Sequence, residues 1–177
     1  MSANRMARAG LLAAILVSCI GCDQVTKSIA AQTLGRPPHE THSFLGDTIR
    51  LQYALNPGAF LGLGKHLTPA QRFSILTVTN GLAMLGLGYV LVRKWSMARI
   101  KFVAGALILS GGIGNLIDRV RQQGLVTDFL NVGIGPLVRT GIFNVADMAI
   151  MAGCIIFFAL WWREERQAGA PAAPSPE

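Results

Sequence analysis

Residues 142–162 read IFNVADMAIMAGCIIFFALWW, twenty-one positions whose only strongly polar side chains are Asn144 and Asp147. Coiled as an α-helix the stretch is about 32 Å long, enough to cross the hydrocarbon core of a bilayer. A carboxylate is costly there, so an acid inside a span is a functional candidate by default. Asp147 therefore marks both a membrane helix and a site.

Three more runs extend the pattern toward the N-terminus. Phe102 to Ile117 carries no charge and is bracketed by Lys101 and by Asp118 with Arg119. Phe73 to Val92 is charge-free for twenty residues, and Ala9 to Cys22 is a shorter apolar run of fourteen. With 51% apolar and only 14% charged residues, the composition excludes an ordinary soluble domain. The expected fold is an all-α membrane protein, a four-transmembrane-helix bundle with spans at about 9–22, 73–92, 102–117 and 142–162. One domain covers 1–167, and the Ala- and Pro-rich tail 168–177 is expected to be disordered.

The first run also fits a signal peptide, since Arg5 and Arg8 precede it and Leu16-Val17-Ser18-Cys19 has the look of a lipoprotein-type cleavage box. Val25, Ile29, Ala30 and Leu34, however, continue an apolar face past Asp23 and Lys27. An uncleaved span passing into an amphipathic helix, ended by Pro37-Pro38, accommodates both. In the long connection that follows, Thr48 to Ala54 alternates apolar and polar as a half-buried strand does, and Leu125 to Val132 is also β-prone. A small extracytoplasmic β-sheet is expected from them. Thr68-Pro69 reads as the cap of the helix entering the second span.

Basic residues orient the bundle. Arg5 and Arg8, then Arg93, Lys94, Arg99 and Lys101, then Arg163 and Arg166 crowd short segments on one side of the spans. An equal number is spread over connections more than twice as long on the other side, so both termini are expected in the cytoplasm. The net charge of +7 is thus distributed for anionic lipid headgroups and not gathered into a nucleic-acid stripe. Cys19, Cys22 and Cys154 lie in apolar runs and read as packing. His39, His42 and His66 fall in an outer loop without metal-ligand spacing, so no metal site is expected.

The acids carry the chemistry. Asp23 follows the first run, Asp118 ends the third, Asp147 lies inside the fourth, and Asp128 sits in the connection between the last two. All four fall on the outward side of this topology. Two neighbouring carboxylates do not ionise together easily, so one keeps a proton while the other takes one from water. Asp128 and Asp147 are the best pair for that division. Asn144, three residues before Asp147, shares its helical face and also suits a helix cap.

Asp23-Gln24 with Lys27, Asn56-Pro57-Gly58-Ala59-Phe60, Gly111-Gly112-Ile113-Gly114-Asn115 with Asp118-Arg119, Val126-Thr127-Asp128-Phe129 and Phe143-Asn144-Val145-Ala146-Asp147 occur in the order found in lipoprotein signal peptidases, the type II bacterial signal peptidases. The chain resembles that family over its four spans, with one local departure: Pro57 stands where the family commonly has Thr, and Phe60 comes one place early. The resemblance implies an intramembrane aspartic endopeptidase of the bacterial cytoplasmic membrane that cuts diacylglyceryl-modified prolipoproteins before the lipidated cysteine. Asp128 and Asp147 would be catalytic. Asn56, Gly58, Asn115, Arg119 and Asn144 would position substrate and dyad, and Asp23, Lys27 and Asp118 would support them. The expected partners are prolipoproteins and membrane lipids, with no nucleic acid and no cofactor, and a monomer is expected.

The residues themselves add that Arg119 offers a cation near the dyad and that Asp23 and Lys27, four apart, suit an interfacial ion pair. Gly111, Gly112 and Gly114 suit close helix packing. A small proton-coupled transporter would place its acid near the midplane of a two-sided path, and a metal-dependent headgroup transferase would gather aspartates around magnesium on the cytoplasmic face. Reporter fusions after Arg99 and Arg166 should read cytoplasmic and a fusion near His42 extracytoplasmic; a cytoplasmic signal at His42 would overturn the four-span topology.

Overall fold

The computed structural model describes residues 3–38, 40–58, 68–135 and 138–168. Its apolar runs are four helices, α1 (Ala3–Thr33), α2 (Pro69–Arg93), α3 (Arg99–Arg121) and α4 (Val145–Ala168), each long and apolar enough to cross a membrane. Between them a four-stranded antiparallel sheet runs in the order β1 (His42–Phe44), β2 (Ile49–Asn56), β3 (Val126–Ile134) and β4 (Val138–Arg139). Large apolar side chains such as Val78, Leu85, Ile155 and Phe158 remain exposed, as a lipid-facing surface requires.

The amphipathic segment is not a separate helix. It continues α1 without a break to Thr33, because Asp23 and Lys27 turn inward to partners and give the helix no reason to stop. The end comes at Gly35, where a Cβ would lie 2.5 Å from the Ala31 carbonyl oxygen. Thr68 caps α2 as read from sequence: its side chain accepts from Gln71 N while the Gln71 side chain accepts from Thr68 N, and Pro69 opens the helix. In the tail, Ala168 is the last residue of α4, and 169–177 lie outside the described residues. His42 starts a strand instead of lying in a loop, beside Glu40 at 3.7 Å; His39 and His66 lie outside the described residues.

Helix α3 is the centre of the bundle and packs on the other three. It does so through glycine. A Cβ on Gly111 would sit 2.3 Å from the Ala146 carbonyl oxygen of α4, and one on Gly114 would meet Asp23 Oδ2 of α1 at 2.7 Å. The α2–α3 turn, the start of α1 and the end of α4 share one end of the molecule: Arg8 donates to the Met97 carbonyl at 2.8 Å, and Lys101 pairs with Glu164 at 2.7 Å.

The sheet closes the opposite end. Ala30 and Leu34 of α1 pack on Phe129 with Leu51, Tyr53 and Leu130. On β2 a bulge between Leu51 and Ala54 shifts the register, so that Ala54 faces Asp128 and Asn56 faces Val126. At the far edge Asp47 accepts from Ser43, Arg50 and Arg139, and Arg139 also donates to Asn131, binding the β1–β2 turn to the β3–β4 hairpin. The Asp47 carboxyl is held well below the usual range, chiefly by Arg50. Because Gly111 has no room for a methyl against Ala146, Gly111→Ala should cost about 1–3 kcal/mol and lower the thermal unfolding temperature in detergent. An unchanged melting curve would show that the helices can separate there.

Candidate active site

Four carboxylates meet where α1, α3, β3 and α4 converge, and the structure sorts them into two pairs. The first surrounds Lys27, which is 4% exposed. Its ammonium lies 2.8 Å from Asp23 Oδ2, 3.1 Å from Asp118 Oδ2 and 2.9 Å from Asn115 Oδ1. Asp23 and Lys27 do pair as their spacing suggests, but in the interior instead of at an interface, because Asp118 and Asn115 on α3 replace the water that a surface pair would keep. Asp23 Oδ1 also accepts from Ala146 N at 2.8 Å, and Asp118 Oδ2 from Thr127 N at 3.0 Å.

The second pair is Asp128 and Asp147, held by amides. Asn144 Nδ2 donates to Asp128 Oδ1 at 2.6 Å, while Asn144 N donates to Asp147 Oδ2 at 3.2 Å, so a single residue touches both carboxylates. Asn144 Oδ1 accepts from Asp147 N at 2.9 Å, the reciprocal arrangement of a helix cap. Asn115 Nδ2 donates to Asp147 Oδ1 at 2.8 Å while its own oxygen faces Lys27, linking the two pairs. Asn56 reaches over from β2: its Oδ1 accepts from Gly58 N at 3.0 Å, which turns Nδ2 onto Asp128 Oδ2 at 2.9 Å. The Asn-Pro-Gly turn thus aims the amide. Ala59 and Phe60, the rest of that motif, lie outside the described residues.

Asp128 is 1% exposed. Burial, reinforced by the neighbouring Asp147 charge, pushes its pKa up to about 6, against the opposing hydrogen bonds of Asn56 and Asn144. Arg119 does not form a salt bridge with either aspartate among the described residues; it donates to the Asn115 carbonyl at 3.4 Å, and its Nε is buried without a partner. Its cation is near enough to Asp147, Asp128 and Asp118 for charge–charge attraction.

Two residues that the sequence motifs include without a role also contribute. Gln24 Nε2 spans Asp23 Oδ2 at 3.2 Å, the Gly114 carbonyl at 3.2 Å and Asp118 Oδ1 at 3.1 Å, and Thr127 presents its carbonyl to Asn144 at 3.3 Å. Their signal is membership of the motifs around Asp23 and Asp128; the contacts themselves, a backbone one in the case of Thr127, leave no trace in the sequence. Among the described residues no three His, Cys, Asp or Glu side chains are grouped to hold a metal ion.

Comparison with known proteins places this geometry in context. A family model described as signal peptidase (SPase) II matches residues 15–163. The lipoprotein signal peptidase of Moorella thermoacetica is 38% identical over 146 residues, 82% of this chain and 87% of that protein. That of Desulforapulum autotrophicum is 33% identical over 158 residues, 89% and 93% of the respective chains. A solved bacterial membrane enzyme superposes with a TM-score of 0.75 at 25% identity, covering 93% of this chain and 95% of its own.

Since the Asn56 amide favours the charged form of Asp128, its removal has a definite sign. In a carboxyl-labelled NMR titration in detergent, Asp128 should titrate at about 6 in the wild type and at higher pH in Asn56→Ala. A midpoint that stays put would mean that the contact is not made.

Proposed function

The chain belongs to the signal peptidase II family, and from that premise we propose that it is an intramembrane aspartic endopeptidase. It removes signal peptides from diacylglyceryl-modified prolipoproteins, cutting before the lipidated cysteine. Family and helices together make it a multi-pass bacterial membrane protein. The basic crowding at the end that holds the start of α1 and the end of α4 supports a cytoplasmic placement for that end and an extracytoplasmic one for the aspartates.

The observation that carries the aspartic reading is Asn144 bonded at once to Asp128 and Asp147. Asp128, with its pKa raised to about 6, is the member suited to hold a proton, which leaves Asp147 as the base. Asp147 takes a proton from water as the water oxygen bonds to the scissile carbonyl carbon, and Asp128 donates its proton to the carbonyl oxygen. Collapse of the tetrahedral intermediate breaks the C–N bond. The proton held by Asp147 passes to the departing amine, and the proton on the former carbonyl oxygen returns to Asp128. Asn115, Asn144 and Asn56 hold the two carboxylates in place, and Arg119 favours the ionised one.

Neither a transporter nor a metal-dependent transferase has an observation in its favour, since the acids gather at one end of the bundle. Asp128→Asn and Asp147→Asn should each lower cleavage of a lipid-modified precursor by at least about a hundredfold, with much smaller losses in binding, and a strong chelator should leave the wild type active. Cleavage persisting in either variant would remove that aspartate from the dyad. Loss to chelator with restoration by magnesium would transfer the reaction to a metal.

A further inference from the structure

At the end of the bundle away from the aspartates, a cavity of about 280 Å³ lies between the first turn of α1 and the end of α2. Asn4, Arg5, Arg93, Trp95 and Ser96 line it. We propose that it binds the phosphate headgroup of an anionic phospholipid.

The chain builds this site from fixed parts. Arg8 donates to the Met97 carbonyl at 2.8 Å and lies over the Phe102 ring at 5.6 Å, so the start of α1 is fastened to the α2–α3 turn. Arg5, three residues earlier, shares the helical face of Arg8 and is thereby brought over that turn. Trp95 stacks on Phe102 with centroids 6.2 Å apart, which makes one wall rigid. Arg93 lies over the Tyr89 ring at 5.8 Å, which holds its guanidinium beside the cavity.

Charge decides the class of ligand. Among the described residues no carboxylate pairs with Arg5 or Arg93, whereas Lys101 at the same end is neutralised by Glu164. Two guanidinium groups with Asn4 and Ser96 supply donors suited to phosphate oxygens. Position decides its source. The cavity sits where two spans end, at headgroup level, and Met6 and Val92, next in sequence to the two arginines, are exposed apolar side chains against which acyl chains would lie. The volume lies at the lower limit of the roughly 300–1,000 Å³ of pockets that enclose drug-sized ligands, room for a headgroup whose tails stay in the bilayer.

The test is native mass spectrometry of the delipidated full chain in uncharged detergent, titrated separately with phosphatidylglycerol and phosphatidylcholine, then with phosphatidylglycerol in excess inorganic phosphate. The wild type should retain one phosphatidylglycerol in preference to phosphatidylcholine and keep it in phosphate. The double variant Arg5→Gln/Arg93→Gln should bind it about tenfold or more weakly, and Arg163→Gln, at the same end but outside the cavity, should bind it as the wild type does. Equal retention of both lipids, displacement by phosphate, an unaltered double variant, or an equal loss in Arg163→Gln would each overturn the proposal. Melting curves in lipid-free detergent confirm folding; if the double variant fails there, Arg5→Gln alone should still show a loss, and wild-type affinity in it would be equally decisive.

Discussion

One ammonium group holds the arrangement together. Lys27 has three N–H donors and three acceptors within reach, Asp23, Asp118 and Asn115, and with them it is removed from water almost entirely. Each acceptor continues to another element: Asp23 to the α4 backbone at Ala146, Asp118 to the β3 backbone at Thr127, and Asn115 to Asp147. A charge buried this deeply is tolerated only while its partners remain, and loss of one partner from such a set typically costs about 3–5 kcal/mol. The network therefore fixes where α1, α3, β3 and α4 meet, and the two candidate catalytic aspartates inherit their positions from it.

The network forms only because the helices approach closely. Gly114 lets Asp23 lie against α3, and Gly111 lets the α4 backbone do the same; side chains at either position would part the helices and lengthen the hydrogen bonds. The sheet contributes from the other direction. Its bulge sets the register that brings Asn56 onto Asp128, and the Asp47–Arg139 contacts secure the far end of the same ladder.

Two chemically different surroundings thus sit side by side. Asp23 and Asp118 share a full positive charge, whereas the hydrogen-bond donors to Asp128 are neutral amides, which orient it without forcing it to ionise. Burial pushes the Asp128 pKa up to about 6 against those amides, beside a second carboxyl within the same hydrogen-bonded unit. The opposite end of the molecule is organised by cations and aromatic rings, with Arg8 over Phe102 and Arg166 over Trp162. Four aspartates gather at one end of the bundle, whereas basic residues are present at both.

The sequence by itself determined whatever depends on neighbouring residues: four spans, because length and hydropathy are local; the strands of β2 and β3, because their alternation is visible; the Thr68 cap; and the acids, because an aspartate is conspicuous in an apolar run. Strands β1 and β4, of three and two residues, are too short to show a period. The fate of Asp23 and Lys27 was decided only in three dimensions, since their spacing is the same for a solvated pair and a buried one, and Asp118 and Asn115 lie roughly ninety residues away in the chain. The same holds for Asn144, which a helix cap alone would explain, and for Gln24, whose amide has no meaning until α3 supplies its acceptors. Hydrophobic pattern is written along the chain; the pairing of polar groups across helices is not, because any polar residue can be satisfied by water until packing takes the water away.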